Sequence, residues 1–241
     1  MNALLLAAGF GTRLRPLTDH TPKCLVEING RPLIDYWLQD LHAAGVTEFV
    51  INTHHLGETV RTYVTQHALA PAITLVHEES LLGTAGTLVA NSDFLKQGTT
   101  LVAHADNLCL CPWREFFAAH RARPFGAVMS MMTFRAATPS ECGIVEIDQN
   151  NVVQGFHEKI ANPPGNLANA AVYLIEPELI EMIRTMKDVT NDLSTQVLPR
   201  LLGKIFTWEN RQTLIDIGTP ERLASAQELA NNRKLKCEQS T

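Results

Sequence analysis

Several absences narrow this 241-residue chain before any motif is considered. It has no apolar run approaching the ~18 residues that would span a bilayer, and its apolar start, Ala3 to Ala8, is too short for a secretory leader's core. It has no lysine or arginine run and a formal net charge of −5, which argues against a nucleic-acid or anionic-membrane surface as its main business. Five cysteines, an odd number at irregular spacing, do not make a disulfide framework and agree with a reducing compartment; the location expected is the cytoplasm. His104, Asp106, Cys109 and Cys111 lie close together, but Cys-x-Cys is not the usual zinc spacing and no second cysteine pair follows. Repeats and low-complexity tracts are absent too. The expected partners are small molecules.

What is present begins at once. The apolar run Ala3-Leu4-Leu5-Leu6-Ala7 opens into Ala8-Gly9-Phe10-Gly11-Thr12-Arg13-Leu14, and Thr21-Pro22-Lys23 follows. A buried strand that breaks into two glycines lets the backbone curl and bring its N–H groups against an anion, while Arg13 and Lys23 add positive charge to the same mouth. A dinucleotide fingerprint would need a third glycine where Leu14 stands, and a Walker loop would need Gly-Lys-Ser/Thr. The ligand implied is a polyphosphate.

Apolar runs then alternate with amphipathic stretches through about residue 103, the texture of βα units around a parallel sheet. Strands are predicted at 3–8, 48–52, 73–77 and 99–103, and helices from 32, at 56–67 and at 84–92. Ligands of such sheets sit at the carboxyl ends of the strands. Beyond a helix ending at Arg121 and a strand at 126–133, the pattern turns to shorter strands at 143–148, 152–157 and 168–175, with turns at Gln149-Asn150 and Pro163-Pro164-Gly165. Helices are predicted again at 178–186, at 194–202 and from Pro220, capped by Thr219. The fold expected is α/β: a Rossmann-like three-layer sandwich with a mostly parallel central sheet and a small β extension over the second half of the cleft. One domain is expected over residues 1–230, followed by a polar, frayed tail over 231–241.

Two acids end apolar strands, Asp106 after Thr100–Ala105 and Asp216 within Leu214-Ile215-Asp216-Ile217-Gly218-Thr219. Either alone also reads as a turn or cap residue; as a pair at equivalent strand ends they suit a hard cation, since magnesium beside a nucleotide takes only one or two protein carboxylates.

These segments together resemble the sugar nucleotidylyltransferases. Leu6 to Leu14, Pro16 to Thr18 and Pro22-Lys23 match that family's opening signature, and the likeness extends to about Gln227. The resemblance implies transfer of a nucleotidyl group from an NTP to a sugar 1-phosphate, with Mg²⁺ on Asp106 and Asp216. Ala7, Ala8, Gly9, Gly11 and Thr12 would bind the nucleotide, together with Gly83 and Thr84 of Leu82-Gly83-Thr84-Ala85-Gly86. Glu78, in His77-Glu78-Glu79, would accept hydrogen bonds from a guanine edge, which leans the base toward GTP. Gly143, Glu158, Lys159 and Asn169 match positions that line the sugar-phosphate pocket, and Arg13, Lys23 and Lys159 would stabilise charge during transfer. Ala105, Ile160 and Ala171 stand where the family usually carries Gly, Pro and Gly. A nucleotide-sugar-dependent glycosyltransferase and a non-catalytic nucleotide or sugar-phosphate sensor are the alternatives, although no Asp-x-Asp occurs. The motifs leave the sugar and the oligomeric state open.

Overall fold

The computed structural model describes residues 1–187 and 191–238, the side chains of residues 232–238 excepted. In chain order the elements are β1 (Asn2–Leu6), β2 (Glu27–Ile28), β3 (Arg31–Pro32), α1 (Leu33–Ala43), β4 (Glu48–Thr53), α2 (Gly57–Thr65), β5 (Ile73–His77), α3 (Gly83–Ala90), α4 (Ser92–Leu95) and β6 (Thr100–His104). There follow β7 (Asn107–Cys109), α5 (Trp113–Arg121), β8 (Met129–Arg135), β9 (Gly143–Ile147), β10 (Val153–Glu158), β11 (Leu167–Ile175), α6 (Pro177–Thr185), β12 (Ile205–Glu209), β13 (Leu214–Asp216) and α7 (Pro220–Glu238). The α/β expectation holds.

The chain divides into two compact units. One comprises Met1–Leu4, Ser80–Ala103 and Cys111–Gln212; the other comprises Leu5–Glu79, His104–Leu110 and Thr213–Thr241.

In the first unit the strands run in the order β10-β9-β11-β6-β1, with β8 also paired to β11 and β12 to β8. β11 is antiparallel to both β6 and β8, and β12 is parallel to β8, so β6, β8 and β12 point one way with β11 reversed among them. β9 and β10 form the predicted hairpin. Asp148 sets its turn by accepting from the N–H groups of Asn150 at 2.8 Å and Val152 at 3.0 Å.

β11 carries a two-residue bulge, because Asn169 faces Thr133 whereas Tyr173 faces Met131. Ala171 sits in this bulge at φ +54°. The Asn169 side chain clamps it, accepting from Ala171 N at 2.9 Å and donating to the Tyr173 hydroxyl at 2.7 Å.

In the second unit the order is β1-β4-β5, with β4 and β5 parallel and in register from Phe49↔Ile73 to Thr53↔His77. β1 is buried along Ala3-Leu4-Leu5, as a strand covered on both faces requires. On α1, Leu33, Ile34, Trp37, Leu38 and Leu41 are buried at helical spacing, and the Trp37 indole donates to the Asn107 carbonyl at 2.9 Å. Leu14, Val26, Ile28, Leu33, Leu108, Leu110, Ile217 and Ala226 form one buried cluster, which packs the glycine-rich loop, β7 and α7 together.

Three predicted elements differ. Segment 194–202 is not an α-helix: a π-helical turn at Leu193–Val197 runs into a 3₁₀ turn at Leu198–Leu201, where Pro199 has no N–H for a regular ladder. The strand expected at 126–133 runs instead from Met129 to Arg135. α7 continues past Asn231 to Glu238, so that part of the expected tail is helical; residues 239–241 lie outside the described residues.

Candidate active site

The acid pair is built by a short ladder. β7 and β13 are antiparallel with Asp216 opposite Asn107, which brings Asp106, the residue before β7, to the end of β13. Both carboxylates converge on one ammonium: Lys23 Nζ donates to Asp106 Oδ2 and to Asp216 Oδ1, each at 2.8 Å, and Lys23 is only 7% exposed. Arg13 Nη2 reaches Asp216 Oδ2 at 3.3 Å, and Arg222 Nη1 from α7 stands 3.6 Å from the same oxygen.

Gly218 makes the close approach of Arg13 and Asp216 fit. A Cβ there would lie 2.6 Å from Arg13 Nη2 and 2.9 Å from Asp216 Oδ1. Burial on its own would raise the Asp216 pKa, but the Lys23 hydrogen bond and charge, with Arg13 and Arg222 behind them, hold it below the usual carboxylate value. Cys24 beside this pair is pushed up to about 12, by burial first and by the Asp106 charge second, so its thiol stays protonated and inert.

Two carboxylates that already converge on a cation are a donor set suited to magnesium, which completes its octahedron with water and phosphate oxygens. Among the described residues no three His, Cys, Asp or Glu side chains gather as a larger metal cluster.

The glycine-rich loop lies in the same unit. Gly11 adopts φ +62°, and a Cβ there would meet Thr18 Cγ2 at 2.9 Å, so both conformation and space call for glycine. The Gly11 carbonyl accepts from Leu14 N at 2.9 Å and from Thr18 Oγ1 at 2.8 Å, while Gly9 opens on free space. Ala8 and Leu14 are buried and anchor the loop at each end; Phe10 stands exposed between them, edge-on to the His54 ring. Thr12 begins the 3₁₀ turn that carries Arg13.

A polar relay leads from this loop to Glu78. Ala7 N donates to Asn52 Oδ1 at 2.8 Å, and Asn52 Nδ2 donates to Glu78 Oε1 at 2.8 Å. Glu78 is 5% exposed, its carbonyl bound to the His54 ring at 2.7 Å. Asn52 thereby joins the candidate site, although it was not among the residues nominated from sequence; its signal there is one amide closing the apolar run Phe49-Val50-Ile51.

The remaining nominated residues belong to the other unit. Gly83 opens α3 at φ +71°, with Asn191 packed where a side chain would be, and the Thr84 hydroxyl accepts from Leu193 N at 2.7 Å. Gly143 faces Glu158 across the β9–β10 ladder, and a Cβ at 143 would lie 2.6 Å from Glu158 Oε2. Lys159 follows at φ +49°, two-thirds exposed, with Nζ 3.5 Å from Glu158 Oε1. The Asn169 amide is engaged in its own bulge, as described above.

The nucleotidyl transferase family matches residues 2–233. This chain belongs to that family. A mannose-1-phosphate guanyltransferase from Eremothecium gossypii is 32% identical over 229 residues, covering 92% of this chain and 62% of that protein; the chain thus spans less than two-thirds of the length of such relatives. Among solved structures, a Bacillus anthracis protein assigned as a glucose-1-phosphate thymidylyltransferase, in complex with sucrose, aligns at a TM-score of 0.82 with 23% identity over 95% of both chains. HddC from Yersinia pseudotuberculosis, complexed with GMP-PN, aligns at 0.77 with 21% identity over 94% of this chain and 98% of that one. These likenesses establish the nucleotidyltransferase fold. No helix among the described residues is long and apolar enough to cross a membrane.

Proposed function

We propose that this family member transfers a nucleotidyl group from an NTP, with GTP favoured, to a sugar 1-phosphate, giving an NDP-sugar and pyrophosphate. The observation that carries the reading is the convergence of Asp106 and Asp216 on one cationic point beside Arg13. The guanyltransferase relatives and the nucleotide-bound HddC support the choice of base. A buried acid at Glu78 that is tied to the loop through Asn52 supports it as well.

The sugar phosphate is itself a nucleophile at neutral pH, because its second pKa is about 6, so no protein base is required. The chain's work is alignment and charge neutralisation. Gly9 to Thr12 cradle the triphosphate, and Arg13 and Lys23 meet the charge that builds as the acceptor oxygen attacks the α-phosphorus in line with departing pyrophosphate. Glu158 and Lys159 hold the acceptor's hydroxyls and phosphate, and Gly143 leaves room for them. Asp106 and Asp216 would hold Mg²⁺, which supplies further positive charge to the phosphate oxygens. Residence in the cytoplasm belongs to the same reading, supported by the irregular cysteines.

The test is pyrophosphate release with Mg²⁺, crossing nucleoside triphosphates against a panel of sugar 1-phosphates and identifying products by mass. A product that needs both substrates establishes the reaction and names base and acceptor. Tight nucleotide binding without turnover across the panel would overturn it.

A further inference from the structure

We infer that Lys23 is a resident counter-ion that keeps the acid pair closed to divalent cations until an anion draws its ammonium away. The inference rests on the assignment of Asp106 and Asp216 to the cation. Lys23 is held at its backbone within a 3₁₀ turn after Pro22, where Leu25 N donates to Pro22 O at 2.8 Å and Val26 N to Lys23 O at 3.2 Å. Only the side chain is thereby left to move. Its ammonium is shared equally, at 2.8 Å from an oxygen of each acid.

The charge count explains the consequence. Two carboxylates are met by three cations, Lys23, Arg13 at 3.3 Å and Arg222 at 3.6 Å, so their negative charge is already more than offset. A dication that entered beside these groups would compete with Lys23 for the same oxygens and be repelled by all three cations. A triphosphate reverses the balance, because its oxygens are strong acceptors for ammonium and guanidinium groups. As Lys23 turns to them, the carboxylates are released to the metal. Metal and nucleotide binding are then coupled, and the coupling runs equally in both directions.

The test uses the full chain without nucleotide. Mn²⁺ binding followed by electron paramagnetic resonance is expected to be weak in the wild type and at least about tenfold tighter in Lys23→Met, within the usual range of coupling factors. Removing Lys23 takes the ammonium from Asp106 and leaves Asp216 with only the longer Arg13 and Arg222 contacts, so the variant is expected to melt lower than the wild type. MgCl₂ alone should restore its Tm while barely moving that of the wild type. Lys23→Arg, which keeps the counter-ion, should behave as wild type. A Lys23→Met protein that is no tighter for Mn²⁺ and gains nothing from MgCl₂, or a wild type that binds Mn²⁺ tightly unaided, overturns the inference. The double variant Lys23→Met/Asp106→Asn separates the two levels: binding that survives there refutes the cation assignment itself, whereas Asp106-dependent binding that is merely no tighter refutes only the counter-ion role.

Discussion

Gly143 lies directly across the β9–β10 ladder from Glu158, and the Glu158 carboxylate occupies the space where a side chain at 143 would begin. A Cβ there would meet Glu158 Oε2 at 2.6 Å and the Phe156 ring at 2.8 Å. The carboxylate is the end of a flexible side chain and can swing aside, so Gly143→Ala is expected to fold but to misplace Glu158. Steady-state kinetics should show KM for the sugar 1-phosphate raised about tenfold with a smaller change in kcat, the mark of lost ground-state binding. An unchanged KM would remove Glu158 from the acceptor site.

The acid pair makes a different prediction. Asp106→Asn and Asp216→Asn keep the shape of each side chain while removing a charge that the cation needs. Each is expected to lower kcat by at least ~100-fold, about 2.7 kcal/mol of barrier, with the fold intact by circular dichroism. Near-normal turnover in either variant would take that residue out of the metal site.

The bulge in β11 offers a test of stability. Ala171 sits at φ +54°, where an L side chain costs roughly 1–2 kcal/mol and glycine costs nothing sterically. Glycine gives back about 0.5–1 kcal/mol through its freer unfolded state. Ala171→Gly is therefore expected to stabilise the protein by up to about 1 kcal/mol in urea titrations. A clear loss of stability would mean that the alanine methyl packs to more purpose than its backbone suggests.

How much could be read from the sequence follows from how local each signal is. The turn from β1 into the Gly9–Arg13 loop, the Asp148 hairpin and the capped start of α7 each lie within a few residues and were legible. β7 and β12 were not: Asn107–Cys109 is three residues long and is a strand only because β13 pairs with it from more than a hundred residues away. Segment 194–202 carries helix-like apolar spacing, and only the proline inside it hinted at the tighter and wider turns actually adopted. At the site, Asp106 and Asp216 could be nominated from their places at strand ends. That Lys23 bridges them and that Arg222 joins Arg13 are facts of tertiary structure, since one arginine on a polar helix looks like any solvated charge. Ala171 was visible as a departure from glycine, but the strain it carries needed the backbone angle.

The last prediction concerns a buried node that the chemistry does not use. His120 on α5 is 1% exposed, with Nδ1 2.7 Å from Ser130 Oγ on β8 and Nε2 3.0 Å from Glu176 Oε1, which Arg123 also reaches at 2.8 Å. This geometry suits a neutral ring that carries its proton on Nε2. Burial first and the Arg123 charge second lower the His120 pKa to about 4, against the pull of Glu176. In the unfolded chain the same ring titrates near 6.5. Between those values the unfolded state binds the extra proton, so stability rises with pH; it is complete above about pH 6.5 and falls away as the pH drops toward 4. The loss attributable to this residue should approach about 3 kcal/mol, at roughly 1.4 kcal/mol per pH unit of separation. Urea unfolding at pH 7 and at pH 4.5 checks it. The wild type should lose distinctly more stability over that interval than His120→Gln, whatever the variant's starting stability, and equal losses would show that His120 takes up its proton as readily in the folded protein as in the unfolded chain.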